Sequence, residues 1–294
     1  MSLAFEPMDL ARQSEYLEFL GASPAKPSDY SFVNLWGWSL FYGLEWSFDN
    51  DLIWIRQTRP EVRYWAPVGN WGAIPDIYTR LQYELGQGTP MIRVPEDLLN
   101  RFVDKAGENL EIEESRDQWD YLYALPDLVN LPGNRFHKKK NLLNQFKKKY
   151  NFEYLPMGDA LVEKALGMQA DWCTWRDCAA EEALDAENKA ISRVLQAWGS
   201  LKDLTGGALL VDGDMAAYII GERLADDTLL IHFEKGSPGY KGIYQAINQM
   251  FTADIGWDCQ WVNREQDLGN EGLRKAKLSY NPTAFIKKYT LHFA

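Results

Sequence analysis

The stretch that decides the fold is ALLVDGDMAAYIIGERLADDTLLIHFEKGSPGYKGIYQAINQMFTADI, residues 208–255. Asp212-Gly213 stands between two apolar runs and predicts a short β-hairpin, because both residues tolerate the positive φ angles of such a turn. A third strand is predicted at 227–236, and a glycine-bearing loop then leads into an amphipathic helix at 239–255. The stretch therefore indicates an α/β unit.

The elements on either side extend this unit. Two helices are predicted before the hairpin, and a strand, a helix and a final strand at 284–293 follow it. This is the order of elements in a GNAT-type acyltransferase, and the first half of the chain shows it less clearly. Two prolines and a glycine interrupt any regular element within 125–134. We therefore predict an α/β chain of two tandem GNAT-like domains, 1–128 and 129–294, each a mixed, mostly antiparallel sheet flanked by helices.

The charge of the chain is unevenly distributed. Its 294 residues include 31 Lys and Arg against 42 Asp and Glu, a net charge of −11, which disfavours binding of nucleic acid or anionic membrane by the whole surface. The segment NRFHKKKNLLNQFKKKY, residues 134–150, contains basic residues and no acid. We expect a helix there whose lysines either form a solvated face or hold a phosphate-rich partner such as tRNA, a nucleotide or a lipid headgroup. The expected patch consists of Arg135, Lys138, Lys139, Lys140, Lys147 and Lys148.

The cysteines and histidines argue against a disulfide framework and a metal site. Three cysteines are an odd number, and Cys173 and Cys178 are five residues apart on a predicted helix, so we expect them to point to different faces. We expect all three cysteines to be buried apolar residues of a cytoplasmic protein. The three histidines are far apart in sequence, so no metal site is expected. Neither a signal peptide nor a membrane-spanning run is recognisable.

The first candidate site is the loop EKGSPGYKG, residues 234–242. Glycines let the backbone approach a ligand, and the first N–H groups of the following helix attract an anion such as pyrophosphate. Lys235, Gly239, Lys241 and Gly242 are the candidate donor- or phosphate-binding residues. The loop matches the GNAT pyrophosphate pattern only loosely, and a plain strand-to-helix turn is the alternative.

The second candidate site is VNREQDLGNEGLRKAKLSYNP, residues 262–282, where mixed charges follow a predicted strand. Such residues suit the binding of an anionic or carbonyl group and the transfer of one proton, although an internal ion-pair network is the alternative. Glu234 is expected to share a face with His232, two positions earlier, and to be the better candidate for a base. The expected catalytic residues are Glu234, Glu265 and Tyr280, and the expected substrate-binding residues are Asn263, Arg264, Asp267, Arg274 and Lys277.

Residues 134–150 and 262–282, with GIYQAIN between them, resemble a known bacterial family. The sequence is similar to uncharacterised relatives of the C-terminal catalytic region of phosphatidylglycerol lysyltransferases. The resemblance implies two GNAT-like domains packed together, as in Fem-type aminoacyltransferases. Those proteins move an aminoacyl group from aminoacyl-tRNA to an amine or hydroxyl acceptor.

Together these features predict an acyltransferase, with aminoacyl-tRNA as donor and an unidentified small molecule or lipid headgroup as acceptor. Catalysis would need positioning, stabilisation of an oxyanion and one proton transfer, because the ester donor is already activated. An acetyl-coenzyme A-dependent N-acetyltransferase is one alternative. A non-catalytic module that binds an anionic ligand is another.

Overall fold

The computed structural model describes residues 3–86 and 88–294. The strands are β1 (Glu6–Pro7), β2 (Glu45–Phe48), β3 (Leu52–Gln57), β4 (Arg63–Gly69), β5 (Met91–Pro95), β6 (Leu110–Glu114), β7 (Asp120–Ala124), β8 (Phe152–Pro156), β9 (Leu204–Val211), β10 (Asp214–Ala225), β11 (Thr228–Gly236), β12 (Trp261–Asn263), β13 (Ala284–Ile286) and β14 (Lys288–Phe293). The helices are α1 (Gln13–Ala22), α2 (Phe32–Tyr42), α3 (Ile77–Leu85), α4 (Glu96–Leu99), α5 (Val103–Ala106), α6 (Leu125–Asn130), α7 (His137–Lys149), α8 (Asp159–Arg176), α9 (Glu182–Gln196), α10 (Ile243–Ala253) and α11 (Glu271–Leu278).

The strands form two seven-stranded sheets with the same pattern of pairing. Their orders are β1-β2-β3-β4-β5-β14-β6 and β8-β9-β10-β11-β12-β7-β13. In each sheet three antiparallel pairs precede one parallel pair, β4 with β5 or β11 with β12, and an antiparallel pair follows. The predicted fold class, an α/β chain with two mixed, mostly antiparallel sheets flanked by helices, is confirmed.

The two halves of the chain exchange strands. β7 comes from the first half of the sequence but pairs with β12, whereas the C-terminal β14 pairs with β5 and β6 of the first sheet. Unit 1 accordingly contains the described residues up to Asp120, Gln266–Gly269 and Ile286–Ala294, and unit 2 contains Tyr121–Glu265 and Asn270–Phe285. The boundary expected between residues 128 and 129 falls inside α6, within unit 2.

The hairpin between β9 and β10 forms where the sequence predicts it. Asp212 and Gly213 both have positive φ angles, 52° and 93°, and Val211 pairs directly with Asp214. These are the backbone angles of a type I′ turn, whose twist matches that of the strands it joins.

Each unit has its own core. In unit 1 large aromatic side chains such as Trp46, Trp54 and Tyr16 are fully buried and form part of the core. In unit 2 Phe146 of α7 and Phe251 of α10 belong to a cluster that packs on the sheet. Nowhere in residues 3–86 and 88–294 is there a helix with the length and apolar character needed to cross a membrane.

The expectation that all three cysteines are unpaired is wrong for two of them. Cys173 and Cys178 form a disulfide, with Cα atoms 5.1 Å apart, and Cys259 is free and buried. The expectation failed because α8 ends at Arg176 instead of continuing. Asp177 then takes a positive φ of 52°, and this turn brings Cys178 back towards the last turn of the helix.

A buried ion network fixes β14 within unit 1. Lys288 is fully buried and pairs with both Asp29 and Asp120, at 2.6 Å from the latter. Asp29 also pairs with Arg93, and Asp120 accepts hydrogen bonds at 2.7 Å from the backbone and the hydroxyl of Ser28. Burial raises the pKa of Asp29, but the charges of Lys288 and Arg93 lower it by more, so its pKa lies below the ordinary value.

Candidate functional site

The candidate site lies in unit 2, where two parallel strands stop pairing. β11 and β12 pair at three positions, the last of them between Leu230 and Asn263. β12 ends there, while β11 continues to Gly236. Residues that follow Asn263 therefore lie beside unpaired backbone of β11, a usual place for a site in an α/β sheet.

An ion pair joins the two strand ends. Arg264 Nη2 lies 3.2 Å from Glu234 Oε2, which also accepts a hydrogen bond from Asn248 of α10 at 3.0 Å. The Arg264 side chain is only 13% exposed. Burial lowers the pKa of Arg264, but the charge of Glu234 and the nearby tyrosines raise it by more, so its pKa is above the ordinary value and it remains a cation.

Tyr280 covers this ion pair. It is 5% exposed, and the guanidinium carbon of Arg264 lies 4.8 Å from the centre of its ring. Burial raises the pKa of Tyr280 to about 12, although Arg264 partly opposes the shift, so the phenol keeps its proton at neutral pH. Within the described residues, Tyr280 Oη and Arg264 Nη1 are both buried and make no hydrogen bond of normal geometry, although Tyr280 interacts more weakly with Arg264 and with Gln245. Buried polar atoms are nearly always paired, so these two are candidates for contact with a substrate.

One lysine of the basic helix α7 reaches the same cluster. Lys139 is half-buried, and its ammonium lies 4.1 Å from the centre of the Tyr280 ring. Burial lowers the pKa of Lys139, and the charge of Arg264 lowers it further, whereas Glu234 raises it. Lys139 was expected in an exposed phosphate-binding patch, and the structure brings it beside the candidate catalytic residues.

The other lysines of α7 are exposed. Lys138, Lys140 and Lys148 have no carboxylate within ion-pair distance among the described residues, and Lys147 donates a hydrogen bond to a glutamine of α10 at 3.2 Å. Arg135, just before the helix, pairs with Asp127 at 2.6 Å and is therefore partly neutralised.

His232 does not share the surroundings of Glu234. Ile220 of β10 pairs with Phe233 and Gly221 pairs with Ile231, so His232 is the extra residue of a β-bulge that interrupts the two-residue alternation. The expectation that the two side chains share a face is not met: Glu234 contacts α10, whereas the His232 imidazole contacts other carboxylates.

Those carboxylates are Glu265 and Glu222. The His232 side chain is fully buried, with Nδ1 3.0 Å from Glu265 Oε1 and Nε2 3.4 Å from Glu222 Oε1. Burial lowers the pKa of His232, but the hydrogen bonds and charges of the two glutamates outweigh it and raise the pKa to about 9. Glu265 is thus held by an imidazolium, as Glu234 is held by the Arg264 guanidinium, but only Glu234 lies beside Tyr280 and Lys139.

Several expected substrate-binding residues fix the backbone of the site instead. Asn263 is fully buried, and its Oδ1 accepts a hydrogen bond at 2.8 Å from the N–H of Glu265, whose φ is 55°. Lys277 donates a hydrogen bond from Nζ to the Arg264 carbonyl, and Tyr123 Oη donates one to the Lys277 carbonyl at 2.8 Å. These bonds hold Arg264 in place.

The remaining two expected substrate-binding residues are Asp267 and Arg274. Asp267 belongs to unit 1, where it is buried, lies 3.3 Å from Arg116 and accepts a hydrogen bond from the N–H of Gly269. Arg274 is half-buried on α11. The structure therefore brings Glu234, Arg264 and Tyr280 together but not Asp267.

The residues of the glycine-bearing loop, 234–242, lie in different environments. Lys235 is buried, pairs with Glu187 of α9 at 2.6 Å and lies 4.0 Å from the centre of the Trp172 ring. Gly242 has a φ of 88°, and a Cβ there would lie 2.4 Å from the carbonyl oxygen of Leu142 in α7. This glycine is thus required for the close packing of α10 on α7.

The rest of the loop is more open. A Cβ at Gly239 would meet no atom within 4 Å, and the N–H of Lys241 donates a hydrogen bond to Tyr150 Oη at 3.2 Å. No group of three or more His, Cys, Asp or Glu side chains in the described ranges is arranged to hold a metal ion.

Sequence reasoning missed two polar residues of the site. Asn248 lies on the buried side of α10, and Glu222 lies inside the apolar run of β10. In both cases the usable signal was a polar residue at a position where the pattern demands an apolar one.

Comparison with known proteins identifies the family. The model of the family "Phosphatidylglycerol lysyltransferase, C-terminal" matches residues 21–292. The chain belongs to this family. The family assignment expected from the two motifs is thereby confirmed.

Individual relatives agree with the assignment. A conserved protein of unknown function from Bacteroides thetaiotaomicron is 30% identical, with a TM-score of 0.89 over 99% of this chain and 100% of that one. L-PGS from Bacillus licheniformis is 13% identical, with a TM-score of 0.63 over 98% and 92%, and thus shares the fold. An uncharacterised protein of Mycoplasmoides gallisepticum is 28% identical over 176 residues, which are 58% of this chain and 54% of that protein. The match therefore spans about half the length of that curated relative.

Proposed function

We propose that this family member is an acyltransferase that moves an aminoacyl group from aminoacyl-tRNA to an amine or hydroxyl acceptor. One observation carries the proposal: beside the carboxylate of Glu234, Tyr280 Oη and Arg264 Nη1 are buried and make no hydrogen bond of normal geometry within the described residues. This combination provides hydrogen-bond donors for a carbonyl oxygen and an acceptor for one proton, which is what transfer from an activated ester requires.

Glu234 and Tyr280 have different roles in the proposed transfer step. The acceptor nitrogen or oxygen attacks the ester carbonyl carbon, and its proton passes to Glu234, whose Oε2 is occupied by Arg264 and Asn248. Tyr280, protonated at neutral pH, donates a hydrogen bond to the carbonyl oxygen and then a proton to the departing ribose oxygen. A new bond to the acceptor forms as the ester C–O bond breaks. Glu234 then returns its proton through solvent to Tyr280.

The exposed side of α7 supplies the contact with tRNA. Lys138, Lys140 and Lys148 are exposed and carry charge without an acidic partner in the described ranges. Contacts of this kind with phosphates give affinity without sequence specificity and weaken as salt increases. The triple change of these lysines to Glu should abolish binding of charged tRNA at low salt, and unchanged binding in a filter assay would contradict this role.

The transfer experiment uses a pool of tRNA charged with radiolabelled amino acids, together with an extract of cellular lipids and small molecules as acceptors. Wild type should move label from tRNA into a product that separates from tRNA and from the free amino acid. Glu234→Gln should slow transfer about 100-fold or more, since general base catalysis contributes that much. Glu153→Gln, at an exposed position of β8, is the matched control and should transfer like wild type.

Coenzyme A is the donor to test against tRNA. Calorimetric titration with coenzyme A distinguishes an aminoacyl-tRNA-dependent transferase from an acetyl-coenzyme A-dependent one. Tight binding of coenzyme A, together with acetyl transfer to an amine, would favour the N-acetyltransferase. A chain that binds an anionic ligand but transfers label from neither donor would be a binding module, and the proposal would be wrong.

A further inference from the structure

Three charged side chains surround the ring of Tyr280, and their charges do not balance. Lys139 Nζ and the Arg264 guanidinium carbon lie 4.1 and 4.8 Å from the ring centre. Glu234 is the carboxylate that pairs with Arg264 and that acts on Lys139. Two cations therefore share one carboxylate. A partly buried charge without a counter-charge is costly, so the cluster is short of one anion.

Lys139 also differs from its neighbours on α7. Lys138 and Lys140 are exposed, whereas Lys139 is half-buried and has a lowered pKa, chiefly because of burial and then because of Arg264. The first turn of α7 contains no acidic residue and no side-chain cap. Helix N–H groups there add partial positive charge, so the helix end itself favours an anion over the lysine that occupies it.

The same place holds a hydrogen-bond donor that lacks a close acceptor. Arg264 Nη1 is buried and makes no hydrogen bond of normal geometry within the described part of the chain. A phosphate group provides several acceptor oxygens and the missing negative charge, and its hydrogen bonds to cations are among the strong ones in proteins.

We propose that Lys139 and Arg264, which share the single carboxylate of Glu234, form a subsite for a phosphate group carried by a substrate, while the Tyr280 hydroxyl remains available to the reacting carbonyl. The excess of positive charge in this cluster does not depend on the proposed acyl transfer. Only the placement of the phosphate beside a reacting carbonyl rests on the proposed function. The phosphate is either the last phosphodiester of the tRNA donor or a phosphate of the acceptor. The chemistry of recognition is the same in both cases.

Two probes distinguish these sources in calorimetric titrations of the full chain. Cytidylyl-(3′,5′)-adenosine represents the end of the donor, and glycerol 3-phosphate represents a phosphorylated acceptor. Binding of the first assigns the phosphate to the donor, and binding of the second assigns it to the acceptor. Lys139→Gln should weaken the probe that binds about ten-fold or more, as expected for loss of a charge-assisted hydrogen bond.

The control variants test whether binding depends on Lys139 itself or only on the general positive charge of the surface. Lys139→Arg should restore most of the affinity, and Lys164→Gln, which removes an exposed charge from α8, should leave it unchanged. The subsite is wrong if neither probe binds, or if Lys140→Gln weakens binding as much as Lys139→Gln. Failure of acyl transfer alone would overturn the proposed function but not the subsite, because the titrations contain no acyl donor.

Discussion

The ion network of unit 1 allows a stability prediction with a matched control. Lys288→Met removes the buried ammonium between Asp29 and Asp120 and keeps a side chain of similar length. Breaking a buried pair by removing one partner costs about 3–5 kcal/mol. We expect the lower end of this range, because Arg93 still pairs with Asp29 and Ser28 still donates to Asp120.

The assay is thermal unfolding followed by circular dichroism at several pH values. A loss of about 3 kcal/mol corresponds to a midpoint lower by about 6–12 °C at pH 7 for a domain of this size. Lys287→Met, one residue earlier on an exposed side chain, should leave the midpoint nearly unchanged.

The pH dependence follows from Asp29. Its lowered folded-state pKa stabilises the wild type above the ordinary value of 3.8, and this stability is lost as the pH falls through the folded-state pKa. Without Lys288 the folded-state pKa of Asp29 rises, so the difference in unfolding midpoint between variant and wild type should narrow as the pH falls below about 3.8. A midpoint within about 2 °C of wild type at pH 7 would refute the stabilising role of this network.

Three further predictions concern unit 2. Gly242→Ala should lower the free energy of unfolding by about 1–3 kcal/mol or more, because the backbone at Gly242 is left-handed and α7 leaves no room for a methyl group. Urea unfolding measures this loss, and an unchanged midpoint would contradict the close packing of α10 on α7. His232 has a pKa raised to about 9, so its stabilising contribution is fully present below its ordinary pKa of 6.5 and is lost as the pH rises through 9. His232→Gln should therefore flatten the plot of unfolding free energy against pH between 6.5 and 9. An equally steep plot for the variant would show that another group titrates there. In denaturant without reductant, thiol titration should find Cys259 alone, and reduction should add Cys173 and Cys178; three thiols before reduction would exclude the disulfide.

Local features of the fold could be predicted from the sequence. The turn at Asp212-Gly213 and the alternating strands beside it depend on residues close in sequence, so the pattern was sufficient. The exchange of β7 and β14 could not be foreseen, because pairing between strands more than 130 residues apart leaves no local signal. The predicted final strand at 284–293 is accordingly two strands, one in each sheet.

The candidate site was predictable by residue type but not by geometry. Charged residues after a strand pointed to Arg264 and Tyr280, and the structure brings both to Glu234. The face of His232 depended on one extra residue in β11, which periodicity cannot detect. Lys139 could not be separated from the other lysines of α7, because its burial depends on Tyr280, far along the chain.

Single-turnover transfer from charged tRNA tests the central claim most directly. The assay follows radiolabelled aminoacyl groups as they leave tRNA and enter a product that separates from tRNA and from the free amino acid, with wild type and Glu234→Gln compared under identical conditions. The account predicts transfer by wild type and a loss of about 100-fold or more in the variant, with the fold unchanged by circular dichroism. Equal transfer by the two proteins, or no transfer by wild type with any charged tRNA in the pool, would contradict it.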